Sequence, residues 1–400
     1  MTTRLPTNLI LLFVMELISG ISRGSFLVCV GWTTLIVTND VSRVGQVFII
    51  AMLTLIVTGP FIGTIVDRHT RKWLVILAHL AIAVLLCLLG TIWISAPSPS
   101  LPFLFAAIAA ASALRLLHNT AHDGLIQSIV PANRIMRTVA RFRGVHLSAT
   151  ALGTVLAGFV IEQMSPAAGF LFSAAASVLL IVPMLFVTDT APTSNGSTKP
   201  AFLGDLRGGL EIFRQSRPLR LLALLAAVSL PIGQLSNAIL SSFIRDDLGK
   251  GSGAFGIVDA AWPVGGMLAA GLLSLGIRKV SAHNMEYVFA VLVGCATFGL
   301  SLCTSLPMLA LLHGAMGMTV WLCRIVIDGR VLERSTTDTI GRTKVGIDMA
   351  FSLAALIMCF SPTLVRLPST APYFMVWGAL IVVVAGLVWF LDARQPQGSD

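Results

Sequence analysis

An apolar run of roughly 20 to 28 residues recurs twelve times along this chain, each long enough to cross a ~30 Å hydrocarbon core as a helix. The runs fall at 8–37, 44–66, 73–95, 102–130, 137–160, 167–188, 218–243, 252–276, 282–304, 306–332, 343–366 and 370–391. Composition leaves no soluble reading: 11% of residues are charged, where a soluble domain carries about 25%. The apolar surface must therefore meet lipid. Ten-residue segments of alternating polarity, the mark of a membrane barrel, are absent. The first run carries Glu16 and Arg23, is too long for a cleavable signal and lacks a small-x-small cleavage site, so it is expected to stay as a helix. The expectation is an all-α membrane protein of twelve transmembrane helices.

Charge distribution orients it. With the amino terminus in the cytoplasm, 20 of the 27 Lys and Arg residues fall on that side. Arg43, Arg245, Lys250 and Arg366 fall on the other, and Arg23, Arg115 and Arg324 lie within spans. Cationic loops resist translocation, so both termini are expected inside, in a bacterial inner membrane. The net charge of +9 is explained by topology and not by a nucleic-acid groove, which needs a soluble basic face.

No nucleotide or hydrolytic motif appears. Gly249-Lys250-Gly251-Ser252 lacks the upstream glycine of a phosphate-binding loop, and neither H-E-x-x-H nor G-x-S-x-G occurs. All six cysteines fall within spans without a C-x-x-C pair, and the histidines are not spaced with them as metal ligands. The expectation is a chain that is not an enzyme and has neither cofactor nor metal.

The longest polar stretch, 189–217, has the Pro/Ser/Thr-rich composition of a linker. It separates 1–188 from 218–400, six runs each. The halves echo one another. Asp123-Gly124 matches Asp328-Gly329, and Arg137-Thr138 matches Arg342-Thr343, both at an offset of 205. Gly59, Arg71 and Lys72 match Gly266, Arg278 and Lys279 at an offset of 207. Paired six-helix repeats joined by a cytoplasmic linker are a transporter plan, with the substrate held between the repeats at mid-membrane.

The loop between runs 2 and 3 reads Gly63-Thr-Ile-Val-Asp67-Arg68-His-Thr-Arg71-Lys72. It resembles the signature loop of the major facilitator superfamily, G-x-x-x-D-R-x-G-R-[KR], and departs from it at Thr70. The physical reading stands beside the name. Gly59 and Gly63 would permit close helix approach. Asp67 would accept hydrogen bonds from a neighbouring helix end, and Arg68, Arg71 and Lys72 would stay on the cytoplasmic side. With Asp123 and Asp328, the cluster would latch one state of a rocking carrier. The plainer alternative is a stop signal obeying the inside-positive rule. The resemblance implies two pseudo-symmetric six-helix bundles with runs 1, 4, 7 and 10 lining a central cavity. The segments 129–137 and 329–346 look most like the branch of macrolide-efflux proteins and enterobactin-type exporters.

Three of those lining runs carry the chain's most costly residues: Glu16 and Arg23 on run 1; Arg115, His118, His122 and Asp123 on run 4; His313, Arg324 and Asp328 on run 10. Each charge near mid-membrane costs about 2.5–3.5 kcal/mol and needs a wet cavity or a partner. Glu16 and Arg23 share a face but are separated by about 10.5 Å of rise, so each should look elsewhere. Arg115, His118 and His122 form one stripe. Arg324 and Asp328 are spaced to pair within their helix. Pro231 and Gly233 interrupt run 7 beside Gln234 and Asn237, where a broken helix exposes backbone to a ligand or merely bends the bundle. Arg115 resembles the run-4 arginine of proton-coupled drug exporters, without the following Gln-Gly. Run 5 matches the antiporter motif in part, with Gly144, Gly153 and Gly158.

The substrate-binding candidates are therefore Arg23, Arg115, His118, Arg324, Gln234 and Asn237. Glu16 is the proton-coupling candidate, with His122 and His118 as rivals and Asp259 and Glu286 behind them. The alternative for the arginines is a set of bridges that order the bundle, and for each histidine a hydrogen-bonded packing role. The reading is a monomeric secondary transporter exporting a small amphipathic or anionic compound in exchange for protons. Proton-coupled uptake of an anionic nutrient or metal chelate is the alternative. A non-transporting receptor or lipid-handling protein is the alternative of another class.

Overall fold

In hydrocarbon a backbone amide finds no water, so each apolar run closes its hydrogen bonds on itself as a helix. The computed structural model describes residues 4–95, 101–130, 132–188, 216–274, 284–335 and 340–393. Every element among them is helical: α1 (Arg4–Thr38), α2 (Val41–Arg68), α3 (Arg71–Ser95), α4 (Leu101–Ile129), α5 (Ala132–Gln163), α6 (Pro166–Phe186), α7a (Arg217–Ser229), α7b (Ile232–Ser242) with a π-helical turn Phe243–Asp247, α8 (Ser252–Ser274), α9 (Met285–Leu300), α10 (Leu306–Arg334), α11 (Ile340–Leu364) and α12 (Ala371–Ala393). Eleven spans among the described residues are long and apolar enough to cross a membrane, with Arg217–Asp247 taken as one. Of the expected linker, 189–215 lies outside the described residues, as do Arg278 and Lys279.

The ends follow local chemistry. Asn39 adopts φ 50° and closes α1. Asp40 then caps α2, its carboxylate accepting the Ser42 N–H at 2.9 Å. Ser165 caps α6 with Pro166 in the first turn, a position where the missing N–H costs nothing. Pro231 breaks run 7 as its ring demands, and the Gln234 N–H bonds the Pro231 carbonyl at 2.8 Å to start α7b. Run 9 departs from expectation. The helix expected at 282–304 is the 16-residue α9, Met285–Leu300. At about 24 Å it is shorter than the hydrocarbon core. It stops because Ser301, Leu302 and Cys303 bond back only three residues, which tightens the chain into a turn. Residues 282 and 283 lie outside the described residues.

The chain divides into two compact units, Met1–Pro200 with Lys250–Pro263, and Ala201–Gly249 with Val264–Asp400. The first residues of α8 thus cluster with the first six helices. In the first unit α1 packs on α5 and α6, α3 on α4 and α6, and α2 on α4. In the second, α7a packs on α11 and α12, and α9 on α10 and α12. First against fifth, third against fourth and third against sixth recur in both, so the sequence repeat is also a packing repeat.

Glycine sets the closest of these contacts, though not at Gly59 and Gly63. A Cβ on Gly63 would meet nothing within 4 Å, and one on Gly59 only the tip of Leu116 at 4.0 Å. In the first unit the tightest backbone contacts lie instead between α1 and α5. A Cβ on Gly20 would sit 2.6 Å from the His146 carbonyl oxygen, and one on Gly24 would overlap that of Thr150. One on Gly153 would overlap the Ile21 carbonyl. With no hydrophobic drive between helices in lipid, such small-residue contacts carry the association. Large apolar side chains such as Val57, Phe61, Leu311 and Val383 face outward, where lipid takes the place of water.

Gly24→Ala is accordingly expected to lower stability by about 1–3 kcal/mol, while Gly63→Ala, which puts a methyl into open space on a helix, does not lower it. Thermal melting of the two purified variants checks the contrast.

Candidate functional site

The site begins with the α1–α5 contact, because that contact places His146 beside Glu16. Glu16 stands on α1 above a core of Leu12, Met15, Leu125 and Phe142. Its carboxylate meets two rings. His146 Nδ1 on α5 lies 2.9 Å from Oε2, and His122 Nδ1 on α4 lies 3.3 Å from Oε1. The expectation that Glu16 would not pair with Arg23 holds, and its partners are imidazoles. His122 Nε2 is buried without a hydrogen-bond partner.

One turn away, His118 Nε2 faces Ser19 Oγ at 3.3 Å and Nδ1 faces His79 Nε2 on α3 at 3.1 Å. The His118 and His122 rings stack with centroids 5.6 Å apart, and His79 meets His118 edge-on at 4.5 Å. Four imidazoles and one carboxylate from four helices thus form a single buried cluster. His118 is held on both nitrogens, which fits the packing role weighed for it.

Arg115 lies further along α4. Its guanidinium sits 4.5 Å from the Phe26 ring centroid and donates to the Ser22 carbonyl at 3.2 Å, while its Nε is buried without a partner. Arg23 is exposed and makes no hydrogen bond or ion pair among the described residues. Both cations therefore keep donor capacity that no carboxylate among the described residues uses.

The signature loop divides into anchors and free ends. Arg71 donates to the Gly124 carbonyl at 2.7 Å, and Lys72 Nζ to the Leu185 and Val187 carbonyls at 2.7 and 2.9 Å. Lys72 thus sits at the carbonyl end of α6, where the helix dipole favours it, and Arg71 ties the start of α3 to the C-terminal half of α4. Asp67, expected to accept hydrogen bonds, is exposed and accepts none among the described residues; Arg68 is exposed beside it. Asp123 reaches Arg143 at 4.0 Å.

In the second unit Arg324 pairs with Asp328 at 3.6 Å, as its spacing implies, and also with Asp348 at 3.1 Å. By the offset of 205, Asp348 stands where Arg143 stands in the first unit, while Arg324 stands where the first unit has Asn119, so both units link their fourth and fifth helices by charge from different positions. Gln234 and Asn237 are half-buried on α7b, and neither side chain bonds among the described residues. Between them Ser236 Oγ meets His313 Nε2 at 2.9 Å. Glu286 is buried in an ion pair with Arg330 at 3.3 Å, which fits an ordering bridge better than a carrier. Asp259 is half-buried. Among the described residues no three His, Cys, Asp or Glu side chains are placed to hold a metal ion.

Reading the sequence missed His79, His146, Ser19, Ser236 and Asp348. The two histidines carried a signal, since an imidazole inside an apolar run is costly. Their partners carried none, because which helices touch is not written in the runs.

The profile of the Major Facilitator Superfamily matches residues 12–343. A protein of Bacillus subtilis (strain 168), the uncharacterized MFS-type transporter YfiS, is 25% identical over 360 residues, 86% of this chain and 82% of that protein. The crystal structure of the nucleoside transporter NupG aligns with TM-score 0.76 and 14% identity over 97% of this chain and 100% of that one. A bacterial homologue of the human lysosomal transporter Spinster, inward-facing and unoccupied, aligns with TM-score 0.71 and 13% identity over 98% of both chains. At such identities the two structures share the fold alone.

Arg330→Met leaves the Glu286 carboxylate buried and is expected to cost about 3–5 kcal/mol. Glu333→Gln, which removes the exposed partner of Arg330 at 3.0 Å, should cost at most about 1 kcal/mol. Denaturation of both variants in detergent measures the difference.

Proposed function

Because the chain belongs to the major facilitator superfamily, we propose that this membrane transporter works by alternating access and exports a small amphipathic or anionic compound, drug-like or siderophore-like, in exchange for protons. The observation that carries the reading is Arg115: a guanidinium deep in the bundle, stacked on Phe26, with a buried N–H that nothing among the described residues accepts. A buried donor of that kind favours an anionic or acceptor-rich guest. Arg23, exposed on the adjoining helix, supplies a second donor. The aromatic face of Phe26 suits the apolar part of an amphipathic guest.

Proton coupling draws on the Glu16 cluster, since a carboxylate flanked by imidazoles is the titratable constellation of this unit. In the second unit Arg324, Gln234 and Asn237 extend the proposed binding set. Arg71 and Lys72 act as fixed anchors of the latch. Gly63, Asp67 and Arg68, with the pairs made by Asp123 and Asp328, are the part that changes partners. Both termini face the cytoplasm of a bacterial inner membrane, and the working unit is one chain.

The test uses proteoliposomes with a trapped pH dye. An anionic catecholate, 2,3-dihydroxybenzoate, is compared with cationic ethidium. The anion is expected to drive proton flux. Arg23→Gln and Arg115→Gln should each reduce it about tenfold or more, the loss of one charge-assisted contact. Equal flux with ethidium, or full flux with the anion in both arginine variants, would overturn the anionic-substrate reading.

A further inference from the structure

We propose that His146 is the group that takes up and releases the coupled proton, with Glu16 as its standing counter-charge and His122 as a positioning residue. The proposal rests on the proton-driven reading above and assigns the carrier within it.

The argument is a count of donors and acceptors. Glu16 Oε2 faces His146 Nδ1 at 2.9 Å and Oε1 faces His122 Nδ1 at 3.3 Å. An ionised carboxylate accepts both Nδ1–H bonds at once. A proton placed on Glu16 would turn one oxygen from acceptor to donor against an N–H, and one contact would be lost unless a ring changed tautomer. A proton on His122 Nε2 would be a buried N–H with no acceptor, since that atom has no hydrogen-bond partner. A proton on His146 Nε2 disturbs neither bond. It turns the shorter one into a contact between imidazolium and carboxylate.

Access points the same way. The His146 side chain is 18% exposed, against 12% for Glu16 and 5% for His122. His118 is withdrawn, bonded to Ser19 and His79. The charged and titratable groups around the ring are few. From α1 come Glu16 and Arg23; from α4, Arg115, His118, His122 and Asp123; from α5 itself, Arg141 and Arg143. The packed helix α6 carries none, and α8, which meets α5 at Thr154 and Gly158, carries Asp259. Glu16 is the one carboxylate among them bonded to a ring. In each cycle an N–H bond forms at Nε2 with a proton from water on one side, and the same bond breaks to water on the other. Glu16 stays a carboxylate throughout.

The experiment needs no substrate. The full chain, labelled with 15N-histidine, is placed in phosphatidylethanolamine–phosphatidylglycerol nanodiscs, and imidazole signals are followed from pH 5 to 8. Each is assigned by its loss in the matching His→Gln variant. One bundle imidazole is expected to pass between neutral and cationic forms, to vanish in His146→Gln, and in Glu16→Gln to move its midpoint by about one pH unit or more. A titrating signal that belongs to His118 or His122, or carboxyl titration at Glu16 with no titrating bundle imidazole, overturns the proposal. Should His146→Gln fail to fold, carbethoxylation of the wild type mapped by mass spectrometry reads the same point. His146 is expected to react at pH 8 and be protected at pH 5, with His122 unreactive at both; reaction at His122 in place of His146 overturns it. Titration at His146 with no proton flux in the liposomes would end the coupling reading and with it the carrier role, leaving His146 only as the titrating ring of the cluster.

Discussion

A carboxylate held at membrane depth has to be met by donors, and the donors have to be brought to it by helices that do not repel one another. Glu16 meets both conditions through the contact of α1 with α5. Gly20, Gly24 and Gly153 let the two backbones touch, and the touch carries His146 to 2.9 Å from Glu16. From α4 His122 closes the other side, and His118 and His79 extend the cluster to α3. Side chains longer than hydrogen at those glycines would part the helices and leave the carboxylate unmet. The ionic site is thus a consequence of backbone proximity, and the proximity a consequence of missing side chains.

The same economy governs the loop between α2 and α3. Its basic residues are not one patch. Arg71 and Lys72 bond to carbonyls of α4 and α6 and hold the unit together. Asp67 and Arg68 stand exposed. A motif that reads as a single signature therefore combines fixed anchors with groups left available, the arrangement a rocking carrier needs if its frame is to stay rigid while its contacts change.

The two units share a packing plan without sharing a chemistry. Each joins its first helix to its fourth through a serine and a histidine, Ser19 with His118 and Ser236 with His313. Each ties its fourth helix to its fifth by charge, Asp123 with Arg143 and Arg324 with Asp348. The imidazole cluster has no counterpart, since the repeat positions of His122 and His146 hold Ile327 and Phe351. The imidazole cluster therefore belongs to the first unit alone, and the second unit repeats the frame with other contacts.

How much of this was legible beforehand follows from what local physics decides. Hydrophobic length against bilayer thickness set the spans, and the all-helical membrane class with them. The break at Pro231 and the Arg324–Asp328 pair needed only ring geometry and the pitch of a helix. Glu16, Arg115 and His122 stood out because ionic and imidazole groups are costly in apolar runs. What the runs could not decide is which face meets which. The short α9 ends in a three-residue-back turn that composition does not mark, and Gly63 reads like Gly24 in sequence yet faces open space. His146 became the partner of Glu16 only when residues 130 positions apart in the chain were set side by side. Lipid accepts any apolar face, so the bilayer selects helices by length and apolarity, and their pairing is left to the detailed fit of one backbone against another.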